Sequence, residues 1–289
     1  MVLFEVFLNG LLLGGMYGLV ALGLNMQFGI ARMMNLSYGE FLMAGAFSAY
    51  FTLMLWSLNP LLSIFFALPI AFIANWLIYR FLLAPLVRRA PNQAAFEPDV
   101  VLITFGLMFV FEGFALATWG GDQRGYSFLA YPIDVLGAKI SANRLLAFVA
   151  ACVLAIALFS ILRFTWMGRA FRSIAIDATA ASLVGVNVQN LSALAFAAGG
   201  AVAGMSGILV STFISFTPSI GVLFTLKALI VVIMAGVGRM AGTLGAGLLL
   251  GVVESLGGYL IDSALTLALN FALFMAILLV RPTGLFSRG

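Results

Sequence analysis

Apolar residues fill this chain in long runs with short polar breaks between them, and run length is the first structural signal. Runs near 20 residues match a helix that spans a bilayer, whereas a membrane barrel strand needs only about 10. The predicted spans are 6–29, 38–56, 61–83, 100–119, 145–162, 191–213, 219–238, 243–261 and 265–280. Pro69 is a predicted kink inside the third span. Residues 57–60 read as a tight outer turn, and 84–99, with three prolines and Arg88–Arg89, as an inner loop without strong helix. The stretch 219–238 is read as short or broken, because glycines crowd its end, and a re-entrant segment stays open there. The pattern thus predicts an all-α polytopic membrane protein with 8–9 transmembrane helices, some broken or re-entrant, forming one domain over 1–289.

Glycines within the spans are ordered. Gly10, Gly14 and Gly18 recur every four residues in the first span, and Gly200, Gly204 and Gly207 share a face of the sixth. Small residues at this spacing let helix backbones approach closely in lipid, so both stripes are predicted packing faces. The second could also line a narrow path with backbone.

Two polar stretches are too long for simple turns. Residues 120–143 carry Asp122, Arg124, Asp134 and Lys139 among aromatic residues and glycines, as an outer loop or surface hairpin would. Residues 165–190 carry Arg169, Arg172 and Asp177, a run of small helix formers, and Gly185. That spacing predicts a small helix outside the bilayer, either a docking element or an ordinary amphipathic loop helix. A shorter polar cluster, Asn25, Gln27, Arg32, Asn35, Ser37 and Glu40, falls at the first break. Polar groups at that depth need partners or water. Asn25, Asn35, Ser37 and Glu40 are therefore candidate pathway or gate residues, with a solvated hairpin as the other reading.

Composition agrees with the pattern. The chain has 289 residues, 64% hydrophobic and 8% charged, with a mean hydropathy of +1.17; a soluble domain carries roughly 25% charge. Ten of the fourteen basic residues are predicted on one side: Arg32, Arg80, Arg88, Arg89, Arg163, Arg169, Arg172, Arg239, Arg281 and Arg288. Arg124, Lys139, Arg144 and Lys227 fall on the other. The majority side is cytoplasmic by the positive-inside rule, which places 165–190 and the C-terminus inside and, with nine crossings, the N-terminus outside. The net charge of +4 reflects these loops rather than nucleic-acid binding. The first run is too long for a signal-peptide core and is expected to be retained.

The chain has no histidine and a single cysteine, Cys152, within an apolar run. Histidine-based catalysis, thiolate metal sites and a disulfide framework are thereby excluded, and no phosphate-cradling GxxxxGK[ST] loop is present. The functions left are transport or conduction. Glu112, Lys227 and Glu254 are scattered singly within apolar runs, and no acid is read as paired with a base. An ion-coupled secondary transporter and a channel both stay open on these residues alone.

The sequence does resemble a known family. TAASLVG at 179–185 is similar to the EAA-x3-G signature in the cytoplasmic loop of bacterial ABC importer permeases. GRAFRSIAIDATAASLVGVNV (168–188) resembles the corresponding loop of the branched-chain amino acid permease family, LivH-type subunit. ALGLNMQFGIARMMNLSYGEFLMAGAFSAY (21–50), ITFGL (103–107), AFAAGGAVAGMSGIL (195–209), IVVIMAGVGRMAGTLGAGLLLGVVES (230–255) and RPTGLF (281–286) follow in the family's order. The chain departs from the family at Tyr38, where a histidine is common, and at Thr179, where an acid is common.

The resemblance implies a permease in the bacterial inner membrane, without an ATPase site of its own. It implies a LivM-like second permease subunit forming a heterodimer, two cytoplasmic ATPase subunits that bind ATP and Mg, and a periplasmic solute-binding protein. By the same resemblance 165–190 is a coupling helix whose ATPase-facing residues are Arg169, Arg172, Asp177, Ala180, Ala181 and Gly185. Branched-chain amino acids are the implied solutes; urea, short amides and aromatic carboxylates are carried by relatives and remain alternatives.

Overall fold

The computed structural model describes residues 2–89, 93–135, 137–281 and 284–286. Pro91, Pro282, Thr283 and Arg288 lie outside the described residues. Among the described residues, six helical segments are long and apolar enough to cross a membrane, and Ile220–Ala235 and Thr266–Val280 are apolar but shorter. The most deeply enclosed are α1 (Val2–Ala31) and α9 (Val188–Val210), which form the centre of the bundle.

The first two helices are separated by a short linker in which Arg32 takes φ 54°. The second, α2 (Tyr38–Trp56), ends as the sequence pattern requires. Ser57 adopts the left-handed conformation, its N–H reaches Leu53 O at 3.0 Å, and Leu58 N–H reaches Thr52 O at 3.3 Å. Asn59 then caps a 3-10 turn, Pro60–Ser63, through Leu61 N, with proline at the first helical position where its missing donor costs nothing.

Helix α3 (Ile64–Ile78) continues through Pro69. It passes into a π-helical segment, Tyr79–Leu83, and then α4 (Ala84–Arg89). The loop expected over 84–99 is largely helical instead, since α5 (Gln93–Trp119) starts well before residue 100 and contains Pro98. The π segment has a local cause. Pro85 has no N–H to give Phe81, so the ladder widens one residue earlier, where Ala84 N–H bonds Tyr79 O.

The outer stretch forms a small hairpin that the sequence reading did not resolve. Strands β1 (Pro132–Val135) and β2 (Ala138–Ser141) pair antiparallel, Pro132 opposite Ser141 and Val135 opposite Ala138. Lys139 N donates to Glu5 Oε1 at 3.3 Å, which sets the hairpin over the start of α1. Arg124 and Phe216 exchange backbone hydrogen bonds at 2.8 Å. Tyr126 Oη lies 2.8 Å from Ser211 Oγ; burial pushes its phenol up to about 12, so it stays neutral. The loop is therefore tied to the end of α9 rather than solvated along its length.

Helix α6 (Ala142–Phe164) returns the chain. The long inner stretch then folds as two helices rather than one, α7 (Trp166–Ile176) and α8 (Ala178–Leu183). After α9 come α10 (Ile220–Ala235), α11 (Met240–Leu260) and α12 (Thr266–Val280). Of the short and broken readings of 219–238, the first holds: α10 is one unbroken helix of 16 residues, about 24 Å at roughly 1.5 Å per residue. The break falls after it, at Gly236 (φ 91°) and Gly238 (φ 81°), conformations that residues with a Cβ rarely adopt.

Glycine decides how the helices meet. Along α1, Gly10, Gly14 and Gly18 face α11. A Cβ added at Gly14 would lie 2.7 Å from Leu248 Cα, and one at Gly247 would lie 2.5 Å from Gly18 Cα. On α9 the three glycines turn to other helices: Gly200 to Asn75 of α3, Gly204 to Ala71 of α3, and Gly207 to the Leu42 carbonyl of α2. Gly14→Leu and Gly251→Leu are each expected to reduce the yield of folded chain sharply, the overpacking costing at least ~2 kcal/mol. Gly113→Leu is the control, since a Cβ there meets nothing within 4 Å. Size-exclusion profiles of membrane-extracted protein would check all three; equal yields would show that the α1–α11 crossing tolerates side chains.

Candidate functional site: the inner loop and the polar core behind it

Each piece of the inner loop is capped by its own sequence. Thr165 Oγ1 accepts from Gly168 N at 3.1 Å and starts α7. Asp177, extended at φ −150°, interrupts the helix and accepts from Thr179 N at 2.8 Å and Ala180 N at 3.1 Å to start α8. Asn187 caps α9 through Asn190 N. Gly185 closes α8 at φ 87°, with Val186 N–H bonded to Ala181 O at 3.1 Å. Asp177, the acid nearest Thr179 in this chain, is thus the cap of α8.

Helix α7 is strongly amphipathic. Its buried face, Ala170, Phe171 and Ile174, packs with Met26, Ile30, Leu162, Leu191 and Ala195. Ala181 belongs to the same cluster, so its side chain faces the chain's interior, whereas Ala180 and Arg169 are exposed. Three large apolar side chains point the other way: Ile176, Leu183 and Val184 are 81%, 83% and 78% exposed. Arg172 donates to Leu162 O and fastens α7 to the end of α6. Arg32 Nη2 donates to Ala175 O at 3.0 Å and Ile176 O at 3.4 Å, completing the open carbonyls at the end of α7. The loop is therefore held to the α1–α2 linker by one guanidinium.

Next to the loop lies a cavity of about 930 Å³ between the ends of α1 and α6, α7 and the α10–α11 turn. Arg163, Arg172 and Arg239 line it together with Phe171 and Phe286. Arg239 also donates to Phe286 O, which draws the C-terminal segment across the start of α11.

The polar cluster at the first break is buried and mostly satisfied. Asn25 Nδ2 donates to Thr243 Oγ1 at 2.6 Å and its Oδ1 accepts from Gly238 N at 2.7 Å, joining α1 to the α10–α11 turn and to the first turn of α11. Asn35 Nδ2 donates to Gln27 Oε1 at 3.0 Å, and Asn35 Oδ1 accepts from Ser37 Oγ at 2.8 Å. Gln27 Nε2 donates to Phe196 O at 2.7 Å. Tyr38, at the departure from the family's histidine, is fully buried and donates to Val20 O at 2.7 Å. Glu40 differs: it is 2% exposed, and neither carboxylate oxygen has a hydrogen-bond partner among the described residues. It lies against Gly221, where a Cβ would come 2.6 Å from Glu40 Oε1.

A second cluster was not read from the sequence, and it corrects the reading of unpaired acids. Lys227 Nζ lies 2.7 Å from Glu254 Oε1, with the side chains 16% and 13% exposed. Lys227 is in the middle of α10, within the apolar run where the sequence reading has it. Tyr17 Oη donates to Glu254 Oε1 at 3.0 Å, Lys227 Nζ donates to Tyr17 Oη at 2.7 Å, and Asn270 Nδ2 donates to Glu254 Oε2 at 2.8 Å. Four helices, α1, α10, α11 and α12, meet at this carboxylate. The signal was one charge of each sign inside apolar runs, which in lipid implies a partner; which charge pairs with which depends on helix neighbours that hydropathy does not encode.

Lys227→Met alone is expected to cost about 3–5 kcal/mol, because it leaves Glu254 buried without its counter-charge. The Lys227→Met/Glu254→Gln double variant should regain most of that loss. Thermal unfolding in detergent checks both, and equal destabilisation by the two variants would mean that charge pairing is not what holds these helices.

The sequence profile described as "Branched-chain amino acid transport system / permease component" matches residues 6–279. The permease protein LivH of the high-affinity branched-chain amino acid transport system of Escherichia coli strain K12 is 30% identical over 295 residues, 97% of this chain and 94% of the relative. The corresponding protein BraD of Pseudomonas aeruginosa is 27% identical over 289 residues, 97% and 94% of the two chains. A probable branched-chain amino acid transport permease protein LivH of Methanocaldococcus jannaschii is 24% identical over 282 residues, 92% and 87% of the two. No solved structure matches significantly.

Proposed function

The chain belongs to the branched-chain amino acid transport permease family, and from that premise we propose that it is one half of the membrane channel of an ABC importer carrying branched-chain amino acids into the cytoplasm. A homologous LivM-like permease subunit completes the path, two ATPase subunits bind ATP and Mg, and a periplasmic binding protein delivers the solute. The loop 165–190 and the C-terminus face the cytoplasm, in keeping with the arginine-rich side of the chain.

The observation that carries this reading is the apolar tip of the inner loop. Ile176, Leu183 and Val184 are left outside an otherwise well-packed pair of helices, as anchors for a groove on another protein would be. Arg169 and Ala180 flank that tip on the exposed side, Asp177 and Gly185 set its two turns, and Arg172 and Ala181 hold it to the membrane helices. ATP-driven closure of the ATPases moves the tip, and the Arg32 bridge passes the movement to the α1–α2 linker. Nucleotide shifts the transport equilibrium only as far as its affinity differs between the two states.

Leu183→Glu/Val184→Glu is expected to leave insertion and yield intact while lowering ATP-driven uptake at least about tenfold, since each apolar anchor contributes ~1.5–3 kcal/mol when buried. Gly185→Arg should uncouple uptake from ATP hydrolysis in the same way, by straining the φ 87° turn. Uptake and ATP hydrolysis by the four-subunit complex in proteoliposomes measure both. Uptake that follows an ion gradient and ignores ATP would overturn the proposal.

A further inference from the structure

At the end of the bundle opposite the inner loop lies a second cavity, of about 350 Å³, within the roughly 300–1,000 Å³ span of small-molecule sites. It opens between the N-terminal part of α1, the start of α6, the end of α9 and the C-terminal half of α11. Its walls combine Leu13, Phe213 and Ile214 with Asn9, Arg144 and Glu254. Opposite charges and an apolar wall therefore face one small space.

Resting on the importer reading above, we propose that this cavity is a transient solute site that receives an amino acid as its zwitterion. Arg144 meets the carboxylate, Glu254 the ammonium, and Leu13, Phe213 and Ile214 the aliphatic side chain.

The chemistry of each wall supports the assignment. A guanidinium offers a planar fork matched to a carboxylate. Arg144 is exposed, and among the described residues its guanidinium bonds Asn9 Oδ1, from Nη1 at 2.8 Å, which aims it along the α1 wall. Glu254 has about four acceptor positions. Three are taken, by Tyr17, Lys227 and Asn270, and 13% of the side chain remains accessible. One position is thus left for an incoming ammonium.

Charge and hydrogen bonding each select for part of the solute. Lys227 offsets Glu254, so Arg144 leaves the cavity with one positive charge in excess, which favours a solute that carries a carboxylate. The ammonium is placed by the open acceptor position of Glu254 rather than by net charge. Urea and short amides carry no charge to meet Arg144, and an aromatic carboxylate would leave the remaining acceptor of Glu254 unused. With only one acceptor position open and Arg144 largely in solvent, the site holds its solute weakly, as a relay from a binding protein to a pathway requires.

The test uses the complete importer, with its ATPases and binding protein, in proteoliposomes. At saturating leucine-loaded binding protein, Arg144→Gln is expected to lower leucine uptake about tenfold, the usual scale for losing a charge-assisted hydrogen bond. The binding-protein concentration at half-maximal rate and the stimulated ATP hydrolysis should stay unchanged. Arg144→Lys should recover part of the uptake by keeping the charge. Ile214→Trp should lower uptake similarly by filling the cavity. Wild-type uptake in both Arg144→Gln and Ile214→Trp would overturn the site, as would uptake and ATP hydrolysis falling together. A wild-type complex that imports no branched-chain amino acid would instead overturn the functional reading, and it would do so before any variant is compared.

Discussion

Everything in this fold depends on how closely α1 approaches α11. Lipid tails are as apolar as leucine, so no hydrophobic force drives two membrane helices together; close packing and hydrogen bonds must do it. The α1–α11 crossing meets that constraint with glycine on both sides, Gly14 and Gly18 against Gly247 and Gly251. A Cβ on either side would enter the other backbone. Around Gly14, Gly247 and Gly251 the contact is backbone against backbone, and its attraction there comes from many dispersion contacts at short range. Once α1 is held there, its other faces are presented to α9 and α10, which brings Tyr17 to Glu254 and Asn25 to Thr243.

The polar groups of the core follow from the same geometry. In lipid an unpaired polar group has no water to turn to, so each one constrains which helices can be neighbours. Glu254 takes bonds from three other helices, and Asn25 ties α1 to the α10–α11 turn and to α11. Glycine lets the backbones approach, and these side chains fix the register once they have done so. Burying the Lys227–Glu254 pair is not an efficient way to gain stability, because desolvation offsets most of the attraction. Its effect is specificity: a helix displaced by one turn would strand a charge.

Much of this was legible in the sequence, and what was not has physical reasons. Helix bounds such as Tyr38–Trp56 follow from Ser57, Asn59 and Pro60, whose local chemistry ends one helix and begins another. The glycine stripes were visible as stripes. What spacing could not reveal was their partner: Gly14 faces α11, whereas Gly204 faces α3, and that is a matter of bundle topology. The loop at 84–99 was misread because prolines were taken as helix breakers. Pro85 is accommodated by a π segment and Pro98 lies within the early turns of α5. The division of the inner loop at Asp177 was missed for a related reason, since a lone aspartate among helix formers reads as a surface charge until its side chain is seen to cap the next helix. The exposed tip was present as apolar letters in a polar stretch, but only burial of the opposite face distinguishes Leu183 from Ile174.

A continuous set of contacts runs from that tip into the membrane. Arg32 holds the end of α7; three and five residues further along are Asn35 and Ser37, bonded to each other; then comes Glu40 at the start of α2, pressed against Gly221 of α10; and α10 carries Lys227 to Glu254. Contiguity alone transmits nothing, because coupling needs an element with two arrangements that both ends can bias. Glu40 marks where the present arrangement is least satisfied: a carboxyl group 2% exposed, with both oxygens lacking a partner among the described residues. Leaving such a group unpaired costs about 1–3 kcal/mol or more, and any sliding of α2 against α10 that gives it a donor recovers that cost. The α2–α10 contact is lined by Gly39 and Gly221 and is keyed by one side-chain hydrogen bond, from Gly39 N–H to Thr225 Oγ1 at 2.8 Å. That helix pair thus combines close backbone approach with an unsatisfied carboxyl group, and it is the pair to which Arg32 and the α1–α2 linker connect the inner loop.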